Sequence, residues 1–237
     1  MKTIGLIGGM SWESTVTYYQ VINEKVKETL GGLHSAKCIL YSVDFDEIET
    51  CQAEGNWEKS AEILIEAARA LEHGGADFIV ICTNTMHKVA EAIQEAVHIP
   101  ILHIAEMTAR VLKKEKITKV ALLGTRYTME QDFYKKVIQK HGIDVLIPNE
   151  VDRQEVHRII YEELCKGEIK ASSRAHYLKV IEHLNHMGAQ GVILGCTEIG
   201  LLVKQTDTKV PLWDTALIHA EGAAMEALCD IIDSKDK

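Results

Sequence analysis

Apolar residues occur in two arrangements along this chain. Short, mainly apolar runs at 4–7, 78–81, 120–123 and 192–194 read as strands buried on both faces. Between them, apolar positions recur at helical spacing. Trp57, Ala61, Leu64, Ile65, Ala68 and Leu71 fall on one face of a helix that Asn56 caps and Gly74-Gly75 ends. Taken in order, the pattern predicts strands over 3–7, 37–43, 78–81, 101–103, 119–123, 144–147, at Val192, and over 209–213. Helices are predicted up to about Leu30, after Asn56, and over 85–97, 105–113, 129–141, 153–165, 171–187 and 215–232, the last capped by Asp214. The polar segment 44–55 reads as a long loop over the sheet edge. Strands alternating with helices imply an α/β fold with parallel strands.

The chain also echoes itself. Residues 75–85 lie beside 188–198 at an offset of 113, residues 4–9 beside 120–125 at 116, and Ile99-Pro100-Ile101 beside Val210-Pro211-Leu212 at 111. Three echoes in the same order argue for a duplicated unit. The expected architecture is therefore two pseudosymmetric, Rossmann-like parallel-sheet α/β domains with a site in the cleft between them. The charged segment 114–116 marks the expected boundary. The first half takes 1–115 with the C-terminal helix 214–237, and the second takes 116–213.

Composition narrows the partners. A formal net charge of -9 without a lysine or arginine cluster argues against nucleic acid and anionic membrane. The start runs directly into a short strand, without a charged n-region and long apolar segment, so a cytoplasmic protein with no transmembrane span is expected. Six cysteines, at 38, 51, 82, 165, 196 and 229, show no C-x-x-C and fit reduced thiols. The turn Gly8-Gly9-Met10-Ser11 lacks both the dinucleotide glycine pattern and the phosphate-loop lysine. His87, His103 and the Asp214–His219 pair do not have metal-ligand spacing, so no metal is expected.

Chemistry concentrates at Gly195-Cys196-Thr197-Glu198, where a buried strand ends and a helical pattern starts. Open α/β sheets bind ligands at the carboxyl ends of their strands. A following helix would lower the Cys196 pKa toward the thiolate, and its free N–H groups would seat a substrate carboxylate. Through the 113-residue echo, Thr83 is the counterpart of Cys196. Removing an α-proton without a cofactor needs a base on one face and an acid on the other. If the halves face each other, Thr83 and Cys196 meet across one cleft. Backbone N–H groups at Asn84, Thr85, Thr197 and Glu198 would then hold the α-carboxylate. Met10 and Ser11 would line the cleft, Gln52 would reach in from the loop, and Thr125 would hydrogen-bond a side-chain carboxylate. Strand alternation turns Cys82 away from the face of Thr83. An inert buried cysteine at a strand end fits the same spacing.

The motifs Ile4-Gly5-Leu6-Ile7-Gly8-Gly9-Met10, Thr83-Asn84-Thr85-Met86-His87 and Gly195-Cys196-Thr197-Glu198 resemble those of the aspartate/glutamate racemase family across essentially the whole chain. Within it, the L-aspartate/glutamate-specific or broad-specificity branch is the nearest likeness. The resemblance implies a pyridoxal-independent amino-acid racemase without cofactors. It also implies two pseudosymmetric α/β domains, a homodimer, and a small amino acid such as aspartate or glutamate as substrate. By motif position it makes Cys196 one catalytic acid/base and puts Thr83 in the place of the other. Met10, Gln52, Thr83, Asn84, Thr85, Thr197 and Glu198 match positions where related enzymes hold substrate. Glutamate after Gly-Cys-Thr resembles the aspartate type, whereas glutamate racemases of the cell-wall pathway typically carry histidine there. Thr83 departs from the family pattern, which has a second cysteine. A lysine that some aspartate-type relatives use for the distal carboxylate aligns with Cys165, beside Lys166. Rival readings are a maleate isomerase, arylmalonate decarboxylase or hydantoin racemase of the same superfamily, and a non-catalytic amino-acid-binding module.

Overall fold

The structure is a computed structural model that describes residues 1–235. The chain opens with β1 (Ile4–Gly8), α1 (Trp12–Leu30), β2 (Cys38–Ser42), α2 (Phe45–Glu54), α3 (Trp57–His73) and β3 (Phe78–Ile81). A 3-10 turn (Thr85–Val89) leads into α4 (Ala90–Glu95). There follow α5 (Ile104–Lys114), β4 (Lys119–Gly124), α6 (Arg126–Glu130), α7 (Asp132–Lys140), β5 (Asp144–Leu146) and α8 (Glu150–Glu162). A second 3-10 turn (Leu164–Lys166) precedes α9 (Ala171–His186), β6 (Val192–Gly195), α10 (Ile199–Leu202), β7 (Leu212–Asp214) and α11 (Thr215–Lys235). Residues 236–237, the end of the expected C-terminal helix, lie outside the described residues.

The chain divides into two compact units, 1–103 with 219–237, and 104–218. The first holds a three-stranded parallel sheet in the order β2-β1-β3, the second a four-stranded parallel sheet in the order β5-β4-β6-β7. Their registers agree with the sequence echoes. Ile7 pairs with Ile81, and their counterparts Leu123 and Leu194 pair with each other. Ile79 bridges Ile101, and their counterparts Val192 and Leu212 are likewise partners. One backbone plan is thus laid down twice.

Strand alternation builds the cores. In the second unit Ala121, Leu123, Val192 and Leu194 turn toward Val156, Ile159 and Ile160 of α8 and Tyr177, Val180, Ile181 and Leu184 of α9. Val120, Leu122, Ile193 and Trp213 turn the other way, toward Ile104, Ala105, Ala109 and Leu112 of α5 and Tyr134 and Ile138 of α7. Burying each large aliphatic side chain contributes about 1.5–3 kcal/mol, so both faces must be apolar and the runs cannot alternate with polar residues. In the first unit Ile7, Ile79 and Ile81 meet Leu64, Ala67, Ala68 and Leu71 of α3.

Several expectations need correction. Segment 44–55 is not a loop but α2: Asp44 accepts the Asp46 N–H at 3.2 Å, Gly55 ends the helix in the left-handed region (φ 72°), and Ile48, Cys51 and Gln52 form its buried face. Three buried positions in an otherwise acidic stretch gave too weak a period. Strand 101–103 reduces to the single bridge of Ile101 to Ile79 of β3. Predicted helix 129–141 begins at Arg126 and breaks at Gln131, whose backbone is extended. The boundary at 114–116 moves to residue 104, because α5 packs its Ile104, Ala105, Ala109 and Leu112 on β4 of the second unit. The C-terminal helix does return to the first unit, where Lys2 N–H donates to the Ala227 carbonyl at 2.9 Å and its ammonium pairs with Glu226 at 2.7 Å. Among the described residues no helix is long and apolar enough to cross a membrane.

Candidate active site

Each unit gathers its candidate residues at the carboxyl ends of its two central strands. In the second unit β4 and β6 run side by side to their last residues, Gly124 opposite Gly195. A Cβ on Gly124 would lie 2.8 Å from the Gly195 carbonyl oxygen, and one on Gly195 2.9 Å from that of Leu123. Glycine at both positions therefore lets the chains approach closely and brings the residues that follow, Thr125 and Cys196, out side by side.

Cys196 is buried and its thiol donates to Glu198 Oε2 at 3.0 Å. The same carboxylate oxygen accepts from the Thr197 hydroxyl at 2.8 Å. This changes the expected electrostatics. α10 has only four residues, too short for an appreciable macrodipole, and burial followed by the Glu198 charge pushes the Cys196 pKa well above the ordinary thiol value. The resting site holds a protonated thiol, not a thiolate. Cys165 adds to the effect on Cys196, and burial, with a further contribution from Cys196, raises the phenol of fully buried Tyr177. Cys165 lies in the 3-10 turn after α8, and only the helical period of α9 could have pointed to Tyr177. Thr125 caps α6, its hydroxyl accepting the Thr128 N–H at 3.3 Å and lying 3.2 Å from the Thr128 hydroxyl.

In the first unit β3 ends at Ile81 and delivers Thr83, half-buried, with Asn84 and Thr85 buried behind it. Cys82 is enclosed, its thiol turned back toward the Val80 carbonyl at 3.8 Å, and burial raises its pKa. His87 Nδ1–H donates to the Thr83 carbonyl at 2.8 Å and so fixes the backbone there. The His87 ring stands edge-on to His103, with centroids 4.5 Å apart, and 5.8 Å from His219. His219 donates from Nε2 to the Leu102 carbonyl at 2.7 Å and accepts the Tyr18 hydroxyl at Nδ1, 2.9 Å away. Burial holds His87 and His219 neutral, His219 pushed down to about 3. These rings are engaged with backbone and phenol, and no group of three metal-ligating side chains occurs among the described residues.

Met10 is buried in the first core and Gln52, from α2, donates to the Met86 sulfur at 3.1 Å. The tight turn before Met10 depends on Gly9 (φ +91°), where a Cβ would collide with the Val43 carbonyl. Gly9 N–H donates to the Thr15 hydroxyl at 2.9 Å. Met10, Gln52, Thr83, Asn84 and Thr85 thus belong to one unit, and Thr125, Cys196, Thr197 and Glu198 to the other.

A family model described as Asp/Glu/Hydantoin racemase matches residues 7–223, nearly the whole chain. The chain belongs to the Asp/Glu/hydantoin racemase family. Among relatives, the broad specificity amino-acid racemase RacX of Bacillus subtilis (strain 168) is 24% identical over 231 residues, which is 92% of this chain and 95% of that protein. A crystal structure of a Yersinia pestis protein provisionally assigned as an Asp/Glu racemase shares 58% identity at a TM-score of 0.90, covering 96% of this chain and 100% of the other. An aspartate racemase homologue from Pyrococcus horikoshii OT3 shares 38% identity at a TM-score of 0.82, covering 96% and 99%. The duplicated parallel-sheet fold of this Asp/Glu/hydantoin racemase family member agrees with those structures.

Proposed function

We propose that the chain is a cofactor-independent racemase of aspartate and/or glutamate, with Thr83 and Cys196 exchanging protons on opposite faces of the substrate Cα. One observation carries the reading. The paired registers of β1 with β3 and of β4 with β6 make Thr83 and Cys196 the same position of the duplicated plan, each the second residue beyond a central strand's common core. A duplicated position supplying one proton carrier from each copy is what a two-face reaction requires.

The geometry around Cys196 supplies the first step. The thiol proton passes along its 3.0 Å hydrogen bond to Glu198, and the resulting thiolate takes the α-proton of the L-enantiomer. The Thr83 hydroxyl then donates a proton to the opposite face of the carbanion and regains one from solvent, to which Glu198 releases the proton it took from the thiol. Backbone N–H groups at Asn84, Thr85, Thr197 and Glu198 hold the α-carboxylate, with Met10 and Gln52 against the substrate. A hydroxyl is a far weaker acid than a thiol, so it donates reluctantly but serves still less well as base in reverse. Racemisation has an equilibrium constant of 1, so kcat/KM is equal for the two enantiomers, and the asymmetry falls on kcat and KM separately. Assembly as a homodimer belongs to the same proposal and is tested by sedimentation velocity.

The deciding experiment is α-proton exchange in D2O followed by NMR, with L- and D-aspartate, L- and D-glutamate and neutral amino acids, without pyridoxal phosphate. Exchange with loss of chirality that disappears in Cys196→Ala supports the reading. Exchange with retained configuration removes Thr83 from the mechanism, and no exchange with any amino acid overturns the racemase assignment.

A further inference from the structure

Arg126 opens α6 one residue beyond Thr125, at the carboxyl end of β4. By the 116-residue echo it is the counterpart of Met10. Its guanidinium is exposed yet held: Nη2 donates to the Tyr127 hydroxyl at 2.9 Å, and Cζ sits 4.9 Å from the centre of the Tyr127 ring. Its backbone N–H donates to His157 Nδ1 at 3.3 Å, and the His157 ring stacks edge-on with Tyr127 and Tyr161. Burial and the Arg126 charge push His157 down to about 4, leaving a neutral ring behind the guanidinium.

Among the described residues no acidic side chain forms an ion pair with Arg126. The nearby carboxylate that acts on it, Glu130, is already bound by Arg153 at 2.9 Å. Arg158, by contrast, is committed to Glu155, Glu162 and Glu163. An ordered guanidinium with spare donors and no internal anion is suited to a carboxylate brought in from outside.

Its place just beyond β4 sets the reach. Thr125 and Cys196 follow the paired ends of β4 and β6, Gly124 opposite Gly195, and Arg126 is the next residue beyond Thr125. Adjacent strands lie about 4.8 Å apart. The arginine stem together with the side chain of aspartate or glutamate spans the gap between the two strand ends.

We propose that Arg126 receives the side-chain carboxylate of an acidic amino acid whose Cα is worked on at Cys196, and so sets the preference for acidic over neutral substrates. This rests on the racemase reading above. The test compares kcat/KM for L-aspartate and L-glutamate with that for L-asparagine and L-glutamine in wild type, Arg126→Gln and Arg126→Lys. Arg126→Gln should lower the acidic values on the order of 10- to 100-fold while leaving the neutral ones within about twofold, and Arg126→Lys should restore part of the loss. Tyr127→Phe, which frees the guanidinium from its anchor, should shift selectivity the same way by a smaller factor. Equal losses on acidic and neutral substrates, no loss, or the same selective loss in Lys166→Ala overturns the assignment. If the wild type exchanges no α-proton, the racemase reading fails on its own. Titration calorimetry with L-aspartate then decides: weaker binding to Arg126→Gln keeps the role of Arg126, and equal or no binding to wild type and variant removes it.

Discussion

Replacing Glu198 with glutamine separates its charge effect on Cys196 from the proton-acceptor role proposed for the same carboxylate. Glu198 Oε2 lies 3.0 Å from the Cys196 sulfur. Two unit charges at that separation repel by about 5 kcal/mol at an effective dielectric near 20. Both groups are buried, so solvent screens little of this. The glutamine isostere removes the charge and keeps an acceptor for the thiol, and the thiolate fraction at fixed pH rises tenfold for each ~1.4 kcal/mol relieved. Relief of even a third of the repulsion gives a rise of at least ~10-fold. The assay is iodoacetamide labelling at neutral pH, read by mass spectrometry on the Cys196 peptide, with half-buried Cys38 as internal standard. Alkylation of Cys196 should speed up, while α-proton exchange from the L-amino acid should slow because a glutamine amide accepts the thiol hydrogen bond but does not take up its proton. Unchanged or slower alkylation in a folded variant would refute the claim that Glu198 holds the thiol protonated; faster exchange would refute its role as proton acceptor.

Three further outcomes follow from the same geometry. Thr83→Cys should raise kcat for the D-enantiomer, measured by circular dichroism of the amino acid, and an unchanged or lower value in a folded variant counts against Thr83 as the weaker base. His219 has its folded pKa depressed to about 3, so its share of stability is intact above the usual histidine value and is lost as pH falls toward 3; urea unfolding at pH 4.5 should show wild type losing about 2–3 kcal/mol relative to pH 7 more than His219→Gln does. Gly191→Ala would press a Cβ into the Trp213 ring and to 2.6 Å from the Pro211 carbonyl, and should cost about 1–3 kcal/mol in urea unfolding.

Much of this was legible in the sequence because the central strands are buried on both faces and read as uninterrupted apolar runs. β3 was predicted over the same four residues that the structure gives, and the echoes located Thr83 against Cys196 before any register was known. What failed to show was local and polar. α2 carries its buried face on Ile48, Cys51 and Gln52 within an acidic segment, so its period is faint. The charge state of Cys196 could not be read because a helix start predicts a lowered pKa. The outcome depends on the length of α10 and on where the Glu198 side chain turns. Tyr177 and Arg126 reach their places through helix packing across α8 and α9, which a linear motif does not encode.

The course of α11 bears on how the chain is made. The first unit contains residues 1–103 but is completed only by the segment from His219 onward, whose Ala227 carbonyl takes the Lys2 N–H. On a ribosome, at about 5–20 residues per second, the entire second unit must be synthesised before that segment emerges. The earlier-made half therefore waits several seconds with Tyr18 lacking His219. The later-made half has all its parts in one continuous stretch, so it can finish folding first.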